Sequence, residues 1–487
     1  RCLTNGCDLP MGRSLLGALA LFGLDHIAPC QKEQMRELIL SGGPWPEYQR
    51  SSILAYCQQD VDALGPLLDA ILAHESWTVD RLGQALLRGR YMVAVANMQT
   101  NGIPIDRRTF KRLQNHWQAV QHQLIEVVDK DFRVFEDTTF KIDKFEVYLE
   151  ANTIPWPRLT SGVLELKQET FSRMSKIHPE ILPLHELRKT LSRLKLNSLS
   201  IGRDDRNRCL LSPFASKTGR NQPSNSRFIF GPAKWIRGLI KPVEGWSIAY
   251  CDWSSQEIAI AAALSGDTLL WDAYETGDPY MAFAIQTGLA PPEATKSTHQ
   301  KTRDRCKQVV LGTNCGMSAH GVAEAARIHI LEAKELLQRH RETYRVFWAW
   351  AEGNMNRGLS GHRLTTCFGW QIQATSGQPK ANTFLNWPMQ AAGAEMLRLA
   401  CCLATERGIR VCAPIHDALL IEAPIHKMDQ ELERLKECMV EASELILGSG
   451  RICRMDSEIV FYPNRFMDEK GADMWDRIMR ILDEVTE

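Results

Sequence analysis

An α+β fold is predicted from two observations: short apolar, strand-like runs that end in acidic residues, and amphipathic helical stretches between and before them. The runs are Trp246 to Glu257, WSIAYCDWSSQE, and Ile409 to Ala423, IRVCAPIHDALLIEA. Each stops at an aspartate, Asp252 or Asp417, some 165 residues apart. A carboxylate at the tip of a half-buried strand is desolvated and needs a cation or hydrogen bonds. Side by side in one sheet, two such tips repel each other but suit a pair of hard, oxygen-seeking cations such as Mg²⁺. Two cations about 4 Å apart suit in-line displacement at phosphorus. Either aspartate alone would equally fit a turn at a strand end.

Between the two runs lies Thr298 to Ala326, THQKTRDRCKQVVLGTNCGMSAHGVAEAA. Arg303, Lys307 and Leu311 recur at a spacing of four, and Asn314 and Cys315 follow, so all lie on one face of a helix. Val309, Val310 and Leu311 begin an apolar side. Alone, this pattern describes a surface helix with solvated charges. Beside two carboxylates it describes a clamp for a polyphosphate chain, cations on one side and Arg and Lys on the other.

Upstream, Ser51 to Leu72 has an amphipathic helical pattern carrying Tyr56 and Asp60. Gly102-Ile103-Pro104 reads as a turn before a new helix, and Asp106 to Asp129 has helical apolar spacing through Leu113, Trp117, Val120 and Leu124. Thr160-Ser161-Gly162 reads as a loop, and Ile181 to Ser198 as a further basic helix. No internal repeat or low-complexity tract appears.

The 487 residues suffice for two to four domains. A hydrophobic fraction of 44% with 24% charged residues is that of an ordinary globular protein. Net charge is zero, which by itself argues against a nucleic-acid binder. The charge is uneven, however: Arg188 to Lys241 holds 13 Lys and Arg against Asp204 and Asp205. Interleaved with Phe214, Phe228, Phe230 and Trp235, that excess is what contacts tracking a DNA backbone require, and taken alone it fits a solvated basic face equally. The 14 cysteines show no CxxC pair and no ligand spacing with His, so they are expected to be reduced, mostly buried thiols of an intracellular protein. No signal peptide or apolar membrane span is visible. The chain starts at Arg1 rather than Met, which suggests a fragment or a processed start.

Five ordered segments resemble motifs of the family A, DNA polymerase I-type, DNA polymerases. Asp252-Trp253-Ser254-Ser255-Gln256-Glu257 resembles motif A, usually Asp-Tyr-Ser-Gln-Ile-Glu. Arg303, Lys307, Leu311 and Cys315-Gly316 fall on motif B, and His416-Asp417-Ala418 on motif C, usually His-Asp-Glu. Thr218-Gly219-Arg220 matches a minor-groove-reading motif, and Asn386-Trp387-Pro388-Met389-Gln390 a segment that touches template or primer. The resemblance implies a right-hand polymerase with an antiparallel palm sheet, helical fingers and a helical thumb. Its parts would be an exonuclease-like segment, 1–75, the thumb, 76–212, the palm, 213–265 and 381–487, and the fingers, 266–380. Residues 1–75 would be the C-terminal part of an RNase H-like 3′–5′ exonuclease domain. There Tyr56 and Asp60 resemble the Tyr-x-x-x-Asp motif of DEDD nucleases, but no Asp-x-Glu precedes them, so proofreading by this chain is not expected.

By the same resemblance, a primer 3′-hydroxyl attacks the α-phosphorus of a dNTP. Asp252, Asp417 and the backbone carbonyl of Trp253 would hold two Mg²⁺ ions, with Mn²⁺ as an alternative. Lys307 would bind the triphosphate and donate a proton to pyrophosphate, with Arg303, Leu311 and Tyr280 also at the nucleotide. Glu257 would exclude a 2′-hydroxyl. Thr218, Arg220, Cys315, Asn386, Gln390 and His416 would contact primer–template DNA. A monomer with no membrane association, in a bacterial or phage-type cytoplasm, is implied.

Four positions depart from the family pattern: Leu311 replaces an aromatic, Cys315 a Tyr, Asn382 an Arg and Ala418 the motif C Glu. With Asp252, Asp417, Arg303 and Lys307 kept, they imply retained catalysis with altered nucleotide discrimination. A catalytically weak DNA-binding relative and a single-subunit RNA polymerase are the alternatives, and Glu257 favours the DNA enzyme.

Overall fold

The strand pattern around Asp252 organises the chain. In the computed structural model, which describes residues 11–12, 14–74, 78–193, 196–231, 233–314, 316–374 and 380–486, a four-stranded antiparallel sheet is built from β1 (Trp246–Trp253), β2 (Val411–Ile415), β3 (Ala418–Pro424) and β4 (Met455–Phe461). The spatial order is β4-β1-β3-β2. Side chains alternate along β1. Ala249, Cys251 and Trp253 enter one core, while Ile248 and Tyr250 face a second one. Asp252 belongs to the second set by parity, at the end of the strand where that core stops.

The labelled helices, in chain order, are α1 (Glu47–Asp62), α2 (Val79–Asn101), α3 (Arg107–Phe132), α4 (Gln256–Ser265), α5 (Pro279–Gln286), α6 (Gln300–Asn314), α7 (Ala381–Glu406), α8 (Met428–Leu447) and α9 (Ala472–Glu484). Helices α4, α7 and α8 pack together on the first face of the sheet. Gly393 lets α4 and α7 approach closely, since a Cβ there would come within 2.7 Å of Gln256 Oε1. The second core takes β1 residues together with α3, α9 and the 228–240 segment. The turn read at Gly102 is present, with φ +63°, and Asp106 caps α3 by accepting from the Thr109 amide at 3.0 Å. The basic segment near 181–198 forms a helix over Leu182–Arg193.

One expectation is corrected. Phe214, Phe228, Phe230 and Trp235 are all buried core residues rather than exposed rings, with Phe228 and Phe230 at the wall of a cleft. Part of the basic excess is likewise structural. Arg188 lies over the rings of Phe140 and Phe171, and Arg237 pairs with Asp468 at 2.6 Å. Composition counts charges and rings but does not say which of them point inward. The cysteines agree with the sequence: among the described residues all are free thiols, and seven are buried. Among the described residues no helix is long and apolar enough to cross a membrane.

Glu422 on β3 is 2% exposed and accepts from Arg206 at 2.8 Å and from Arg410 at 3.0 Å. Removing one partner of a buried ion pair strands the other charge. Glu422→Ala is therefore expected to cost about 3–5 kcal/mol, read as a lowered urea midpoint.

Candidate active site at the end of the sheet

Residues Ile415 and Ala418 are paired, so His416 and Asp417 form the two-residue turn of the β2–β3 hairpin, with His416 at φ +55°. Asp252 pairs across β1–β3 with Ala418, which brings its carboxylate beside Asp417. The Trp253 amide also meets the Asp417 carbonyl at 3.4 Å. Burial, followed by the neighbouring Asp417 carboxylate and then Asp456, pushes the Asp252 carboxyl up to about 7. Its Oδ1 is buried without a hydrogen-bond partner among the described residues. Among the described residues, no Lys or Arg forms an ion pair with Asp252 or Asp417.

An orphaned carboxylate oxygen beside a second carboxylate fits a hard divalent cation. Among the described residues no three His, Cys, Asp or Glu side chains converge as a ready-made metal site. That fits Mg²⁺ as well, since it is usually held by one or two carboxylates, with waters and substrate phosphates completing the shell.

After β1 the chain turns through Ser255, at φ +54°, into α4, whose first turn carries Glu257. The Tyr280 side chain hydrogen-bonds to Ser255. Burial raises the Tyr280 phenol, with that hydrogen bond and the Arg303 charge working against it. Arg303 and Lys307 of α6 lie over the Tyr280 ring, 5.2 and 5.6 Å from its centroid. Tyr280 thus joins the basic face of α6 to the turn that follows Asp252. Arg303 is also held by Asp278, the N-cap of α5. Leu311 is partly exposed on the same helix. Asn382 donates to the Gly316 carbonyl at 2.8 Å, closing the loop after α6. Cys315 lies outside the described residues.

The Thr218-Gly219-Arg220 loop is pinned from below. The Lys217 carbonyl accepts from the indoles of Trp370 and Trp387 at 3.0 and 2.9 Å, and buried Arg398 donates to the Gly219 carbonyl at 2.7 Å. Thr218 contacts Ser216 at 2.9 Å. Arg220 meets Glu257 at 3.2 Å, and Arg220 and His416 line a cleft of about 400 Å³ with Asn221 and Asn225. Asn386 and Gln390, one turn apart on α7, are half-buried. On α1, Asp60 is paired with Lys32 at 3.2 Å, and the same ammonium sits 5.7 Å from the Tyr56 ring centroid.

The sequence reading did not find Asp278, Trp370, Arg398 or Asp456. Asp456 stands directly opposite Asp252 on β4. Its signal was present as the alternating run MDSEIVF, but an acidic edge strand reads as surface. Trp370 and Arg398 act only through long-range contacts that spacing does not encode.

A family model described as DNA polymerase family A matches residues 109–450. DNA polymerase I of Aquifex aeolicus is 23% identical over 386 residues, covering 74% of this chain and 64% of that protein. The thermostable DNA polymerase I of Thermus thermophilus is 26% identical over 306 residues, covering 59% of this chain and 36% of that protein. The chain thus spans less than two thirds of these relatives' lengths. The polymerase domain of Pol1 from M. smegmatis, solved in complex with DNA primer-template and dNTP, superposes with a TM-score of 0.68 at 17% identity, over 98% of this chain and 81% of that one.

Gly219 has φ +76°, and a Cβ there would lie 3.0 Å from the Trp370 ring. Gly219→Ala is expected to destabilise the chain by more than about 1 kcal/mol, measured as a lowered melting temperature.

Proposed function

The chain belongs to the family A DNA polymerases, and we propose that it is a template-directed DNA polymerase that adds dNTPs to a primer 3′-hydroxyl. The observation that carries this reading is the pairing of Asp252 with Asp417 at one sheet end, unneutralised by any described Lys or Arg. The link through Tyr280 to Arg303 and Lys307 supports it. In this reading the palm is 213–265 with 381–487, the fingers are 266–380, the thumb is 76–212, and 1–75 is exonuclease-like. The working unit is an intracellular monomer on primer–template DNA.

Family A polymerases use divalent cations, generally Mg²⁺, which when bound activate the attacking hydroxyl and stabilise charge on the leaving phosphates. Asp252, Asp417 and the Trp253 carbonyl would hold two of them. The chain's own groups do the rest. Lys307 and Arg303 bind the triphosphate, and Lys307 Nζ holds the proton that goes to pyrophosphate. Tyr280 and Leu311 contact the nucleotide from the same side. Asp278 and Tyr280 hold the guanidinium of Arg303 in one orientation, so less freedom is lost on binding.

Arg220 and Gln390 read minor-groove acceptors common to correct base pairs. Thr218, Asn386, Cys315 and His416 contact the DNA alongside them. Glu257 occupies the space a 2′-hydroxyl would need, and its bond to Arg220 fixes it there while linking sugar selection to the primer side. Near Tyr56, the Lys32 ammonium already pairs with the Asp60 carboxylate that a nuclease would use for metal, so the exonuclease-like segment is read as vestigial.

Asp252→Asn and Asp417→Asn should each lower single-nucleotide primer extension by about 10³-fold or more, the several kcal/mol expected of cation-borne charge stabilisation. Extension unchanged by either substitution would end the two-cation assignment.

A further inference from the structure

The row of side chains that crosses the sheet at Asp252 is Ala418, Asp252, Asp456. Residues directly opposite in antiparallel strands project to the same face, about 5 Å apart. The carboxylate that the motif C pattern would set on the β3 side is missing, because that position is Ala418, fully buried and apolar. A carboxylate stands instead on the β4 side of the same row.

Asp456 is exposed, and its Oδ2 accepts a hydrogen bond from the Ser254 hydroxyl, two residues beyond Asp252. Among the described residues it has no Lys or Arg partner. Arg454, two residues before it, lies 4.7 Å from the Tyr274 ring centroid, with its Nε and Nη2 buried and without a hydrogen-bond partner among the described residues. Strands are about 4.8 Å apart, so Asp417 and Asp456 flank Asp252 from opposite sides. They do not converge on one point, in keeping with the absence of a three-ligand cluster among the described residues.

We propose that Asp456 is a third carboxylate of the cation site, a positioning residue that takes up the work of the missing motif C glutamate from the opposite side of Asp252. It holds cation-bound water rather than the ion itself, and Ser254 fixes its orientation. This rests on the polymerase reading of the Asp252–Asp417 pair. Edge strands commonly carry charge simply to stay unpaired. Glu458, two residues on and on the same face of β4, supplies the control for that explanation.

The test is Mn²⁺ binding, followed by electron paramagnetic resonance, to the full chain with dideoxy-terminated primer–template and the next dNTP. Asp456→Asn should weaken Mn²⁺ binding about tenfold, the lower range for loss of an outer partner of a metal ligand. Asp456→Glu should recover most of that affinity, and Glu458→Gln should leave it within about twofold of the starting chain. Asp456→Ser gives the same reading should the amide disturb the strand edge. Unchanged affinity in Asp456→Asn, or equal losses in Asp456→Asn and Glu458→Gln, would overturn the proposal while leaving the two-aspartate site intact. Equal Mn²⁺ binding by the starting chain and Asp252→Asn would instead overturn the site itself, and Asp456 with it.

Discussion

Negative charge gathered at one end of a sheet, without a cation among the described residues to neutralise it, is the constraint on which the rest of this structure depends. Asp252 sits half-buried beside Asp417, has an oxygen with no partner among the described residues, and has its carboxyl pushed well above the ordinary range. Such a pair is unfavourable in a free-standing fold. It persists because the strands that carry it are fixed by two cores, one on each face of β1. The cost is met by packing elsewhere, as is usual for sites that bind external cations.

The surroundings divide the labour by charge. Arg303 and Lys307 do not approach the aspartates as ion-pair partners. They lie over Tyr280, whose hydroxyl reaches the turn after β1, and Asp278 takes Arg303. The Asp252–Asp417 pair and the Arg303–Lys307 face are thereby left unpaired with each other, an arrangement suited to a ligand that carries phosphates on one side and cations on the other. The Thr218–Arg220 loop is fixed in a different way, through backbone carbonyls held by two indoles and one buried guanidinium. Its side chains are held as well, Arg220 by Glu257 and Thr218 by Ser216.

Much of this was legible in the sequence, for reasons that can be named. Asp252 and Asp417 end runs of strand-like residues, and Arg303, Lys307 and Leu311 keep helical spacing, so local pattern carried them. The turn at Gly102 and the helical spacing from Asp106 onward were equally local. What failed was inference from composition: Phe214, Phe228, Phe230 and Trp235 look the same in a list whether they stack on a base or fill a core, and here they fill a core. What was missed was long-range. Asp456 matters only through its register with Asp252, and Arg398 and Trp370 only through carbonyls some 150 to 180 residues away in sequence. The departures at Leu311 and Ala418 were visible, but the carboxylate across the sheet from Ala418 becomes apparent only once the strands are paired.

The most direct measurement is a crystal structure of the chain with primer–template, a dNTP and Mn²⁺, with anomalous difference density used to locate the metal. The account predicts anomalous peaks within coordination distance of the Asp252 and Asp417 carboxylates, with the triphosphate between them and the Arg303–Lys307 face. Mn²⁺ bound elsewhere, with those two carboxylates free of it, would contradict the account.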